Sequence, residues 1–92
     1  MELTFRNSFF RDLDNISSRE SNRALQQLID KISKAESLTA IPRLKQLKRT
    51  KLYECKIELR VQSKIYWILC DAYSSRIEFI RIKSEAWCKN NL

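Results

Sequence analysis

Apolar positions change their period along this chain. In the first third, Phe9, Phe10, Leu13 and Ile16 recur at helical spacing and leave Arg11, Asp12, Asp14 and Asn15 on the other side, so an amphipathic helix is expected after a cap at Asn7 or Ser8. Ser17 followed three residues later by Glu20 matches a capping box, in which each side chain satisfies the other end's free amide. Behind it Ala24, Leu25, Leu28, Ile29, Ile32 and Ala35 form one longer stripe, the signature of a second helix. Residues 2–6 are short and β-prone, and read as an edge strand. Residues 37–42 are a connector, because Pro42, the chain's one proline, fixes its own φ and discourages helix at Ile41. Leu44 and Leu47 are placed to pin a short helical turn.

From residue 52 onward the pattern is that of strands. The run KIYWILCD at residues 64–71 is continuously apolar, rich in β-branched and aromatic residues and bounded by charge, as a central strand buried on both faces would be. Residues 52–60 and 76–83 alternate on either side of it, and the short loops suit an antiparallel meander. A three-residue loop at 61–63 would pair Ile57 with Trp67 and Glu58 with Tyr66, and a four-residue loop at 72–75 would pair Trp67 with Ile80 and Tyr66 with Arg81. In that register Cys55, Ile57, Leu59, Ile65, Trp67, Leu69, Ile80 and Ile82 share an apolar face for the helical hairpin to cover. The opposite face would hold Lys56, Arg60, Lys64, Arg81 and Lys83 around Tyr66, with Ile68 and Phe79 deeper along the strands.

Composition narrows the function classes. With 92 residues, 43% of them hydrophobic and 32% charged, the chain is expected to form one globular domain over residues 1–92. No stretch has the length of a membrane span and the first residues do not resemble a signal peptide, so a cytosolic protein with no membrane partner is expected. Glycine is absent, so no glycine-rich loop exists to bring backbone amides around a nucleotide triphosphate. Histidine is absent too, which removes the base of a Ser–His or Cys–His nucleophile, and the eleven carboxylates follow no metal-ligand spacing. No cofactor and no metal are expected. Cys55 and Cys70 read as small apolar strand residues, and Cys88 as exposed and oxidisable.

The net charge of +7 is confined to one part of the chain. Residues 1–36 carry six basic and six acidic side chains, whereas residues 37–92 carry twelve basic and five acidic ones. A polyanion is the natural partner for such a half. Lys45, Lys48, Arg49 and Lys51 belong to a basic run without an acid, placed just before a strand that adds Lys56 and Arg60, and are expected to hold a nucleic-acid backbone.

The order strand, helical hairpin, basic connector and three-stranded meander comes with FRNSFFRDL at residues 5–13, AESL at 35–38, IPRLKQLK at 41–48 and LYECKI at 52–57. Together these resemble the RelE/ParE superfamily of bacterial type II toxins over nearly the whole chain. The resemblance implies an α+β, RelE-like fold with an N-terminal helical hairpin packed on a small antiparallel sheet. It also implies a toxin neutralised by a cognate antitoxin whose helix or strand wraps it, a heterotetramer being one assembly open to the pair. RNase members of that superfamily cleave messenger RNA on the ribosome without metal, using cationic and tyrosine side chains. Carried over, the catalytic positions are Lys56 and Arg60, Lys64, and Arg81 or Lys83.

In the segment KSEAWCKNNL at residues 83–92, Trp87 stands where such toxins carry a tyrosine. An indole stacks on a base but transfers no proton, so Tyr66 and Trp87 are each read either as base-stacking or as packing residues. Three functions follow as expectations. The first is a metal-independent mRNA endoribonuclease that inhibits translation. The second is a non-catalytic protein, either a ParE-like gyrase inhibitor or an inactive relative that binds only an antitoxin. The third is a small nucleic-acid binder unrelated to toxins.

Overall fold

A computed structural model describes residues 1–48 and 52–92. Among the described residues, five strands and three α-helices follow one another as β1 (Glu2–Phe5), α1 (Asn7–Ile16), α2 (Arg19–Lys34), β2 (Leu44–Gln46), β3 (Cys55–Val61), β4 (Lys64–Ala72), β5 (Arg76–Ser84) and α3 (Glu85–Asn91), with a 3₁₀ turn at Leu38–Ala40. The strands form one sheet in the order β1-β5-β4-β3-β2. Strands β2 to β5 are antiparallel neighbours, and β1 joins the β5 edge in parallel, Glu2 opposite Arg76 and Phe5 opposite Phe79. The expected α+β architecture is therefore present, with the edge strand, the hairpin and the meander in their expected order. No helix among the described residues is long and apolar enough to cross a membrane.

Helices α1 and α2 cover one face. Phe9, Leu25, Leu28 and Ile32 pack there against Cys55, Ile57, Leu59, Ile68, Cys70, Ile77, Phe79 and Ile82, all buried. Phe5, Phe9 and Phe79 meet in tilted and edge-on contacts with centroids 5.4–5.7 Å apart, which ties β1, α1 and β5 together. The start of α2 differs by one residue from the sequence reading. Ser18, not Ser17, is the N-cap: its hydroxyl accepts from Ser21 N at 3.0 Å, and the Ser21 hydroxyl accepts from Ser18 N at 2.8 Å. A serine can replace the longer glutamate because Ser21 is buried and its hydroxyl also donates to Ile16 O, at 2.9 Å.

The segment around Leu44 is a strand and not the expected helical turn. Leu44 lies opposite Ile57, Lys45 opposite Lys56 and Gln46 opposite Cys55. The outer edge of β3 offers unpaired amides and carbonyls, and pairing them outweighs one turn of helix pinned by two leucines. Arg43, with φ at 61°, turns the chain out of Pro42 into that edge.

Register is where sequence and structure part. Val61 pairs with Lys64, so the β3–β4 turn has two residues, Gln62 and Ser63, with Gln62 in the left-handed region at φ 56°. Ile57 therefore faces Ile68, and Glu58 faces Trp67. Between β4 and β5 the ladder steps by one residue at Leu69 and Cys70: Cys70 pairs with Phe79 but Leu69 with Arg81, leaving Ile80 in a bulge. A one-residue slip exchanges the faces of a strand. Tyr66, Ile68 and Cys70 consequently turn toward the helices with Ile57, while Ile65, Trp67 and Leu69 join Lys56 on the other face.

That second face is not bare. Helix α3, capped by the Ser84 hydroxyl accepting from Trp87 N at 3.1 Å, folds back over it. Trp67, Leu69 and Cys88 form a second, smaller core there, flanked by Tyr53, Ile65, Trp87 and Leu92. Cys88, read from sequence as exposed, is 3% exposed, because it is the α3 residue that meets Trp67 and Leu69.

Candidate functional site

Between β2, β3, β4 and α3 lies a cleft of about 470 Å³. Lys45 comes from β2, Lys48 from the residues after it, Lys56 from β3 and Lys89 from α3, all four lining the cleft, with Glu85 as the one acidic side chain among the described lining residues. Trp67 from β4 forms its floor and is 6% exposed. Its ring lies 4.1 Å from the Lys56 ammonium and 5.5 Å from that of Lys45. Lys45 and Lys56 are direct cross-strand partners, a like-charge pairing that disfavours the ladder. The electron-rich indole face offsets part of that repulsion, typically by 0.5–1 kcal/mol per cation at about this exposure.

The β5 cations have a different fate. Asp12 was read as an outer residue of α1, yet it is 8% exposed and lies at the edge of β5 just beyond the end of β1. There its Oδ2 accepts from Arg81 Nε at 2.7 Å and Ile82 N at 3.1 Å, while Oδ1 accepts from Arg81 Nη2 at 3.1 Å and Lys83 Nζ at 3.5 Å. Burial pushes the Asp12 carboxyl upward, but Arg81, the Ile82 amide and Lys83 together outweigh it and hold the group below its ordinary value. Asp12 in turn raises the Arg81 guanidinium. Arg81 and Lys83 thus project from the cleft face, opposite Leu69 and Trp67, but are drawn sideways to a carboxylate. Lys83 also sits 5.3 Å from the Trp87 ring.

The remaining candidates scatter. Arg60 pairs with Glu58 at 3.5 Å, as Arg43 does at 3.2 Å, and borders a separate groove against α2. Lys64 and Tyr66 line a pocket beside Ser17 and Ser18 on the helix side of the sheet. Of the eleven residues picked from sequence, Lys45, Lys48 and Lys56 meet in the cleft; Lys83 and Trp87 lie at its border near α3. Arg49 and Lys51 lie outside the described residues.

Trp67, Glu85 and Lys89 line the cleft as well, although none of them stands out in the sequence as a candidate. With a three-residue β3–β4 loop Trp67 would face the helices and join the core, whereas the two-residue turn places it under the cleft. The α3 pair had a readable signal: Ser84 followed by Glu85 is a helix start, and Trp87, Cys88 and Leu92 can close one side of a short helix. Among the described residues, no group of three or more histidine, cysteine, aspartate or glutamate side chains could hold a metal ion.

No family model matches the sequence. No curated protein matches it either. Solved structures do match by fold. YafQ from E. coli strain BL21(DE3) superposes with a TM-score of 0.64 at 15% identity, covering 95% of this chain and 96% of that one. A copper-bound mutant toxin from Helicobacter pylori gives 0.62 at 19% identity, covering 95% of this chain and 97% of that one. A point mutant of YafQ from E. coli gives 0.64 at 13%, covering 95% and 96%. The chain has the RelE-like toxin fold, as its sequence resemblance implied.

Proposed function

We propose that this protein is the toxin of a type II toxin–antitoxin pair and that its target, messenger RNA on the ribosome, is bound and cleaved in the lysine cleft. The observation that carries the proposal is the apposition of Lys45 and Lys56 over the Trp67 ring, 5.5 and 4.1 Å away. Two cations held face to face cost stability in the free protein, and an anion placed between them returns it. Lys48 and Lys89 extend the same field along the cleft. An indole at the floor supplies a face on which any base can stack once the ammoniums move to phosphates.

RNA cleavage by its own 2′-hydroxyl makes three demands: the hydroxyl loses a proton, the phosphorane-like transition state gains negative charge, and the departing 5′-oxygen takes a proton. In this proposal Lys56 and Lys45 stabilise the phosphorane, an ammonium of the cleft protonates the leaving oxygen, and Glu85 accepts the 2′-hydroxyl proton. Lys83 and Arg81 act from the border, their charge moderated by Asp12. Arg60 and Lys64 have no part in the step. A cognate antitoxin is the protein partner that this reading requires.

Induced expression in a bacterial host tests it, comparing wild type with a Lys45→Ala, Lys56→Ala variant whose fold is checked by circular dichroism. Growth arrest and cleavage of ribosome-bound messenger RNA by wild type, both lost in the folded variant, are the expected result. Arrest by both proteins refutes the cleft as the seat of toxicity.

A second reading has one observation behind it: no tyrosine or histidine lines the cleft among its described residues. On that reading the protein is a binder without RNase activity, acting on gyrase or only on an antitoxin. Inhibition of purified gyrase in a supercoiling assay, with messenger RNA left intact, would favour it.

A further inference from the structure

Behind the cleft, on the helix-covered side of the sheet, two thiols meet. Cys55 and Cys70 are direct partners in the β3–β4 ladder, with their sulfurs 3.1 Å apart. Both are buried, at 1% and 0% exposure, and both are free. A disulfide needs its sulfurs at about 2.04 Å with β-carbons roughly 3.5–4.5 Å apart, which side chains already converging from paired strands approach with small rotations. We propose that Cys55 and Cys70 are an oxidisable pair that closes to a disulfide across the β3–β4 hairpin.

The route in is from the Cys55 side. That residue forms part of the wall of a second cavity, about 370 Å³, between the 3₁₀ turn, β2 and the start of β3, where Leu38, Leu47, Tyr53 and Glu54 also contribute. Hydrogen peroxide, small and uncharged, suits such a cavity better than a bulky disulfide reagent. The Cys70 thiol as hydrogen-bond partner holds Cys55 below the ordinary thiol value of 9.0, and the same contact and burial keep Cys70 well above it. Cys55 is therefore the first nucleophile.

The chemistry balances with peroxide as the oxidant. The Cys55 thiolate attacks one peroxide oxygen, the O–O bond breaks, and hydroxide leaves to become water, giving a sulfenic acid at Cys55. The Cys70 sulfur then attacks the Cys55 sulfur, the S–O bond breaks, and a second water departs with the Cys70 proton. Two thiols are oxidised by two electrons and one peroxide is reduced to two waters. Cys88 takes no part, because it packs with Trp67 and Leu69 on the other side of the sheet. The link would tie together, one residue away, the strands that bear Lys56 and Leu69.

The test uses the intact wild-type protein in native buffer, treated with hydrogen peroxide, quenched with catalase and denatured for thiol titration. Free thiols are expected to fall from three to one, with a peptide map showing a Cys55–Cys70 link that dithiothreitol reverses. A Cys88→Ser variant is expected to lose both remaining thiols. Three thiols surviving a dose that oxidises the unfolded chain would overturn the proposal. So would a link through Cys88, or sulfinic acids without any link.

Discussion

Lys45 and Lys56 stand directly opposite each other in the β2–β3 ladder, with the Trp67 ring within reach of both ammoniums. If the four cleft lysines each neutralise one phosphate, log affinity for a short single-stranded RNA falls with log salt at a slope of about −2.8. Lys56→Ala is expected to change that slope to about −2.1. Fluorescence anisotropy with a labelled oligoribonucleotide across a salt series reads both values, and a slope that Lys56→Ala leaves alone would move the RNA off this cleft.

Trp67 and Tyr66 are neighbours in sequence and face opposite sides of the sheet. Replacing the indole by leucine keeps an apolar floor but removes the stacking surface, and an aromatic stack is worth about 1–3 kcal/mol per base. Trp67→Leu should weaken RNA binding about fivefold or more, whereas Tyr66→Leu, which removes the neighbouring ring, should leave it within a factor of two. Equilibrium binding of both variants, after a check of their unfolding midpoints, decides the matter; the reverse order of effects would favour the three-residue loop.

Asp12 closes the β5 edge, and its charge is held by partners that the unfolded chain lacks. Its folded pKa is depressed, so the stability it contributes is present above the unfolded carboxyl value, about 3.9, and is lost as pH falls through the folded value. Asp12→Asn leaves Arg81 without a counter-charge and is expected to cost about 2–3 kcal/mol at neutral pH. Urea titrations at pH 7 and at pH 2 to 3 should show the difference between wild type and Asp12→Asn shrinking in acid. A difference that stays constant would remove the charge from the explanation.

The serines before α2 are not equivalent. Ser18→Ala removes a cap that accepts from Ser21 N, at a typical cost of about 1 kcal/mol, and Ser17→Ala should cost a few tenths at most. Thermal or urea unfolding of the two single variants distinguishes them; equal losses would assign the cap to both.

Much of the fold was legible because it rests on local periodicity. The stripe from Leu25 through Ile32 announces a helix by its period, and the apolar run at 64–71 announces a strand by its short length and its β-branched and aromatic residues. The turn at Gln62 was not legible: a left-handed residue is signalled by glycine or asparagine, and this chain, lacking glycine, uses a glutamine. From that single missing residue in the loop followed the exchange of Tyr66 for Trp67 on the cationic face. Likewise Asp12 reads as solvent-facing within its own helix, because its partners lie 69 to 71 residues away.

Helices α1 and α2, the strands of the meander and the concentration of positive charge after residue 36 are written into the chain locally, since each depends on neighbours within a few positions. Tertiary structure alone decided which lysines share a cleft, what lies beneath them and which cations are claimed by a carboxylate. Those outcomes turn on register, a bulge at Ile80 and the return of α3 over the sheet. Each is set by pairing energy summed over a whole strand, where a shift of one residue reverses every side chain while hardly altering the local pattern.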